Sequence, residues 1–152
     1  MTTAAKCFEA ADAVKNGADE IDMVVNIGKL LSEQYSYVRD EIRAIKNACD
    51  GRVLKVIVET GYLTEEQISM VTVLVEQGGA DFIKTSTGMA LRGATLEDIK
   101  IFRQRSSSLR MKAAGGVRDT ETAHKYIALG VERIGTSNSV DIVQGKEVKG
   151  GY

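Results

Sequence analysis

Three short segments of this chain repeat one local plan. Gly17-Ala-Asp-Glu-Ile-Asp22, Gly79-Ala-Asp-Phe-Ile-Lys84 and Gly130-Val-Glu-Arg-Ile-Gly135 each follow a helical stretch and open an apolar strand. Glycine suits the residue just past a helix, where the backbone turns left-handed. The joint is therefore helix-to-strand, and its recurrence marks a repeating βα architecture. The strands read as Glu20–Asn26, Val53–Glu59, Asp81–Ser86, Arg110–Ala114 and Arg133–Thr136. Helix and strand alternate throughout, and consecutive strands joined by helices must lie parallel, with helices covering the sheet. No linker or low-complexity segment divides the chain, so residues 1–152 read as one α/β domain.

The helices carry the apolar stripe that such packing needs. Val38, Ile42, Ile45 and Cys49 recur at helical spacing. Thr64-Glu-Glu-Gln67 is a capping box opening a helix with Ile68, Val71 and Val75 on one face. Thr95 opens the next, with Ile99 and Phe102 inward. A helix over Asp119–Leu129 is expected to bury Ala123, Tyr126 and Ile127. One over Thr3–Asn16 is expected to bury Phe8, Ala11 and Val14. A short helix is expected within Ser137–Gln144.

Against this apolar background, three strands each carry a lysine: Lys55, Lys84 and Lys112, spaced by 29 and 28 residues. Lysine is depleted in strands and rarely buried without a partner. Alternation along a strand puts Lys55, Ile57 and Glu59 on one face, as it does Phe82, Lys84 and Ser86, and Asp22 and Val24. Val56, Val58 and Ile83 face the helices. The lysines thus converge on one pocket at the C-terminal ends of the strands. Crowded ammonium groups lower one another's pKa, and a neutral lysine is a nucleophile towards carbonyl carbon. Glycine-bearing loops follow three of the strands, at Thr85–Gly88, Ala114–Arg118 and Gly135–Asn138. Backbone N–H groups in such loops can approach an anion closely, and in β/α barrels the loops after the last two strands often hold phosphate.

Other chemistries find less support. Net charge is −1, so no global field points to nucleic acid or a membrane surface. No apolar run reaches a membrane-spanning length and no signal peptide is seen, so a cytoplasmic location is expected. His124 is the only histidine and reads as a helix surface residue. Cys7 and Cys49 read as isolated thiols, and no metal site is expected. Glu59, Glu132 and Arg118 read as ion-paired framework residues without a functional role.

These motifs make the chain resemble the deoxyribose-phosphate aldolases, class I aldolases built on a (β/α)8 barrel. The matching segments are Gly17-Ala-Asp-Glu-Ile-Asp-Met-Val-Val25, Leu54-Lys-Val-Ile-Val-Glu-Thr-Gly61, Ala80-Asp-Phe-Ile-Lys-Thr-Ser-Thr-Gly88, Lys112-Ala-Ala-Gly-Gly-Val-Arg118 and Arg133-Ile-Gly-Thr-Ser137. The resemblance implies that Lys84 forms a Schiff base with acetaldehyde and that Lys112 is the amine lowering its pKa. It further implies that Asp22 relays protons and that Lys55 tunes the pocket from below. Gly88, Gly115, Gly116, Ser137 and Asn138 would hold the phosphate of a sugar-phosphate substrate, and Tyr152 would assist protonation. No cofactor is implied.

Five strands are too few to close a barrel of that geometry, for which about 250 residues are typical. The match starts at what would be the family's third helix. The expected fold is thus an incomplete TIM (β/α)8 barrel of about five parallel strands with flanking helices. Its outer strands would have open edges and its inner face would meet water. Three outcomes stay open: a piece of a larger protein, pairing with a second copy as a homodimer, or an inactive remnant. A sugar-phosphate binder or self-associating module without catalysis is the alternative function.

Overall fold

The computed structural model describes residues 1–145. Twelve labelled elements run in order: α1 Thr3–Lys15, β1 Glu20–Val24, α2 Ile27–Leu31, α3 Tyr35–Ala48, β2 Val53–Ile57, α4 Glu65–Gln77, β3 Phe82–Lys84, α5 Leu96–Arg105, β4 Arg110–Ala114, α6 Thr120–Ala128, β5 Arg133–Gly135 and α7 Ser139–Val143. The strands form one parallel sheet in the order β1-β2-β3-β4-β5. Each strand pairs with the next one in sequence, as consecutive elements joined by short connections usually do. Among the described residues, β1 and β5 each have one strand neighbour, so the barrel is open.

Helix starts follow local chemistry. Thr64 and Thr95 both form complete capping boxes, with Gln67 and Asp98 answering their backbone N–H groups. Asp119 caps α6 through the Thr122 N–H. β1 stops earlier than expected because Asn26 turns its side chain to the Lys29 N–H and caps α2, a helix the hydrophobic pattern did not reveal. The ladder nevertheless continues beyond the strand ends: Val25 donates to Ile57, Val58 to Lys84 and Thr85 to Lys112.

The core lies between the helices and one face of the sheet. Leu54, Val56, Val58, Ile83, Met111 and Ala113 pack there with Ile42, Ile45, Ile68, Val71, Val75, Ile99 and Phe102. Two helices depart from expectation. On α1 the buried residue is Ala10, while Phe8 is 75 % exposed, Ala11 is exposed and Val14 only half-buried. This helix packs mainly on α3 and the edge strand β1, and the small Ala10 is the residue that turns to that contact. On α6, Ala123 and Tyr126 are buried but Ile127 is 55 % exposed, because the Tyr126 hydroxyl reaches back to the Ala94 carbonyl and sets the helix rotation.

The inner face is also drier than an open sheet implies. Lys55, Ile57 and Phe82 are buried although no further strands close over them. The Phe82 ring lies between the guanidinium groups of Arg110 (4.1 Å) and Arg133 (4.7 Å). Those cation–π contacts cover it from the solvent side. Glu59, Glu132 and Arg118 make no ion pair within 4 Å among the described residues, contrary to the framework role expected for them. Cys7 and Cys49 are free thiols, and burial pushes the Cys49 thiol up. His124 is exposed on α6.

Candidate active site

Strand register decides which side chains meet. Asp22 pairs with Lys55, Ile57 with Lys84, and Lys84 with Lys112. In a parallel sheet, paired positions point to the same side, so the carboxylate and all three amines share the concave face. Asp22 is their common partner. Its Oδ1 accepts from Lys55 Nζ at 2.6 Å, and its Oδ2 accepts from Lys84 Nζ at 2.7 Å. Lys112 Nζ lies 3.8 Å from the same Oδ2. The two upper lysines therefore face one carboxylate oxygen, and Lys55 occupies the other.

The charges bias one another. Partial burial alone would push the Asp22 carboxyl up, but the hydrogen bonds from Lys55 and Lys84 outweigh it and hold the group below its ordinary value. Burial, followed by the charge of Lys84, pushes the Lys112 amine down, with Asp22 opposing. The downward push of crowding thus falls visibly on Lys112.

Beneath this group sits a pair the sequence reading passed over. Glu20, two residues before Asp22 on β1, takes a second bond from Lys55 at 2.9 Å. It is gripped by both terminal nitrogens of Arg133, with one contact at 2.8 Å. Arg133, then Lys55, lowers the Glu20 carboxyl to about 2. The period-two alternation that pointed to Asp22 also contained Glu20 and Arg133. What it lacked was the curvature that brings β1 and β5 within reach.

Above the amines a cleft of about 390 Å³ opens at the C-terminal ends of β3, β4 and β5. Lys84 and Lys112 form its floor, and Gly88, Gly115, Gly116, Ser137 and Asn138 line its walls. Every glycine-loop residue expected to meet an anion is therefore in one hollow with the two amines. Gly115 and Gly116 both have left-handed backbone, at φ 81° and 80°. Gly93 approaches the Gly115 carbonyl so closely that a Cβ on Gly93 would lie 2.3 Å from it. Thr87, Thr136 and Arg118, from the same three glycine-bearing loops, also line the cleft. Thr136 donates to the Val117 carbonyl at 2.6 Å and accepts from Asn138 N–H at 3.0 Å, joining two of the loops. α7 begins directly after Asn138. A larger, mainly apolar hollow of about 650 Å³ lies along the free edge of β1 beneath α1. It touches Asp22 and Lys6 but not Lys55, Lys84 or Lys112, so the smaller cleft is the one that holds the strand amines. Tyr152 lies outside the described residues. Among the described residues no cluster of His, Cys, Asp and Glu is arranged to hold a metal ion, and no helix is long and apolar enough to cross a membrane.

Comparison with known proteins agrees with this geometry. Residues 2–136 match the family model described as DeoC/LacD family aldolase. The chain is 49 % identical over 151 residues to a deoxyribose-phosphate aldolase of Streptococcus agalactiae, covering 99 % of this chain and 68 % of that protein. It is 48 % identical over 148 residues to one of Clostridioides difficile, covering 97 % and 68 %. Among solved structures, the aldolase QR15 superposes with a TM-score of 0.89 at 43 % identity, over 95 % of this chain and 66 % of that one. The tetrameric deoxyribose phosphate aldolase of Aeropyrum pernix gives 0.84 at 28 % identity, over 95 % and 62 %. The chain thus spans about two thirds of the length of these relatives. With residues 2–136 matched by that family model and a relative 49 % identical covered over 68 % of its length, the chain belongs to the DeoC/LacD aldolase family.

Proposed function

We propose that the concave face carries a class I aldolase site that cleaves 2-deoxy-D-ribose 5-phosphate to D-glyceraldehyde 3-phosphate and acetaldehyde, with Lys84 as the Schiff-base lysine. The observation that carries this reading is Asp22 Oδ2, which faces Lys84 at 2.7 Å and Lys112 at 3.8 Å beside the glycine-lined cleft. An amine must lose its proton before attacking carbonyl carbon, and a carboxylate at hydrogen-bond distance is placed to receive it.

The steps follow from that placement. Lys84 Nζ attacks the aldehyde carbon of the open-chain sugar, and Lys112 or Asp22 passes a proton to the departing oxygen, which leaves as water. The resulting iminium withdraws electrons. Loss of the hydroxyl proton at C3 then breaks the C2–C3 bond, releasing glyceraldehyde 3-phosphate and leaving an enamine on Lys84. Protonation of the enamine carbon and addition of water release acetaldehyde and restore the amine. Tyr152 is proposed to assist that protonation. The iminium acts as the electron sink, so the cycle calls for no cofactor. Gly88, Gly115, Gly116, Ser137 and Asn138 would bind the phosphate, which anchors the far end of the substrate and aligns the reacting carbon. The substrate is a small sugar phosphate, and neither nucleic acid nor membrane is part of this reading. A single domain acting in the cytoplasm, with a second copy covering the open edges, completes it.

Borohydride reduction in the presence of acetaldehyde tests the reading. A stable two-carbon adduct on Lys84, located by peptide mass spectrometry, is expected, together with its loss in Lys84→Arg at unchanged circular dichroism. An unmodified Lys84, with inorganic phosphate still bound, would establish the binding-module alternative instead.

A further inference from the structure

Glu59 has two properties that a structural role does not explain. Its backbone is left-handed, at φ 55° and ψ 62°, a conformation that disfavours side chains with a Cβ and suits glycine. Its carboxylate is buried, at 3 % exposure, without a cationic partner among the described residues. Backbone strain and a buried carboxylate at one position call for a compensating contact. That contact is Thr87. Glu59 Oε1 and Oε2 accept from the Thr87 N–H at 3.2 and 3.1 Å, and Oε2 also accepts from the Thr87 hydroxyl.

The consequence runs along the loop. Thr87 Oγ1 in turn accepts from the Met89 N–H at 3.1 Å. Between them lies Gly88, itself left-handed at φ 91°. The neighbouring Thr60 donates its N–H to the Thr85 carbonyl at 2.9 Å, so residues 59 and 60 grip the loop at both ends. Thr60 is anchored by its hydroxyl to Asp98 at 2.9 Å, and Asp98 is held by Arg92. Thr87 and Gly88 line the cleft, whereas Glu59 does not. The carboxylate therefore acts on the loop and not on a ligand.

We infer that Glu59 is a positioning residue whose carboxylate holds the Thr87–Gly88 loop in the shape that binds the substrate's phosphate. This rests on the proposed reading of the cleft as the phosphate site. By drawing both Thr87 donors to itself, Glu59 decides which face of the loop meets the cleft. A glycine would fit this backbone with less strain, but only a side chain that accepts from both Thr87 donors can fix the glycine-loosened turn.

The test uses inorganic phosphate and the full chain, with Glu59→Gln and Glu59→Gly. Three quantities are measured: the phosphate dissociation constant by calorimetry, the thermal midpoint without phosphate, and acetaldehyde trapping on Lys84. Loss of one or more such bonds is expected to weaken phosphate binding roughly tenfold in both variants. Glu59→Gly should keep the thermal midpoint, since glycine relieves the backbone, and both variants should keep trapping. Unchanged phosphate affinity in either variant overturns the inference. So does a parallel fall of affinity, midpoint and trapping, which would mark Glu59 as a structural residue. Wild-type protein that does not bind phosphate overturns the reading of the cleft itself, and the inference falls with it.

Discussion

Arg133 on β5 grips Glu20 on β1 through both terminal guanidinium nitrogens, although the two strands are the outer members of the sheet. The sheet is therefore curled enough for its edges to communicate across the concave face. Glu20 passes that constraint on through Lys55, which holds Asp22 Oδ1 and leaves Oδ2 to Lys84. Arg133, Glu20, Lys55, Asp22 and Lys84 form one continuous chain of opposite charges.

The clasp should be legible in acid. Glu20 is lowered from 4.5 to about 2, so its contribution to stability is complete above pH 4.5 and is lost as pH falls towards 2. Arg133→Met should be less stable than the parent at neutral pH, and the difference should shrink across that window. Urea midpoints followed by circular dichroism at several pH values provide the check. A difference that is constant with pH would mean that the pair contributes nothing through charge.

Lys112 predicts the opposite limb. Its amine is pushed below 10.5 by burial and by Lys84, so the folded state disfavours the proton that the unfolded chain still binds. Stability from this group therefore rises with pH between the lowered value and 10.5. Lys112→Met should remove that increment and flatten the alkaline side of the profile relative to the parent. An identical slope in the two proteins would show that Lys112 is not perturbed.

Asp22→Asn removes the negative charge that Lys55 and Lys84 donate to and that Lys112 faces at 3.8 Å. Activity should fall at least about a hundredfold, since the proton acceptor is lost. Stability should fall by about 2 kcal/mol, less than for a fully enclosed pair because part of Asp22 meets solvent. The Lys112 amine should move further down, because Asp22 is the one group pulling it up. Activity assays, urea unfolding and the pH dependence of Lys112 reductive methylation measure the three effects.

Gly116, in the cleft wall, and Gly93, packed against the backbone of Gly115, should fail for different reasons. A Cβ at position 93 would meet the Gly115 carbonyl carbon and oxygen at 2.3 Å, and backbone cannot move aside as a side chain can. Gly93→Ala should cost about 3 kcal/mol and disrupt the cleft. Gly116 has open space around its missing Cβ but φ of 80°, so Gly116→Ala should cost only about 1 kcal/mol, from backbone strain. Urea denaturation of both variants ranks them. Equal losses would contradict the crowding at Gly93.

Much of this molecule follows from local chemistry. The helix-to-strand joints, the capping boxes at Thr64 and Thr95 and the alternation of Lys55, Lys84 and Lys112 are short-range patterns, and each reappears as an element or a shared face. The glycines at the strand ends likewise mark the cleft, whose walls they line. The errors arose where long-range contacts decide. Phe8 and Ile127 obey helical periodicity, yet the face a helix buries depends on what stands opposite it.

Composition and spacing were enough to specify parallel βα units, an amine-rich strand face and glycine-bearing loops at the strand ends. They carry no information on sheet curvature, which sets whether Glu20 and Arg133 can touch across more than a hundred intervening residues. Nor do they disclose that Glu59 adopts a left-handed backbone and turns on Thr87. Both depend on the three-dimensional path of the chain, because electrostatic pairing requires distances of a few ångströms that no local pattern encodes.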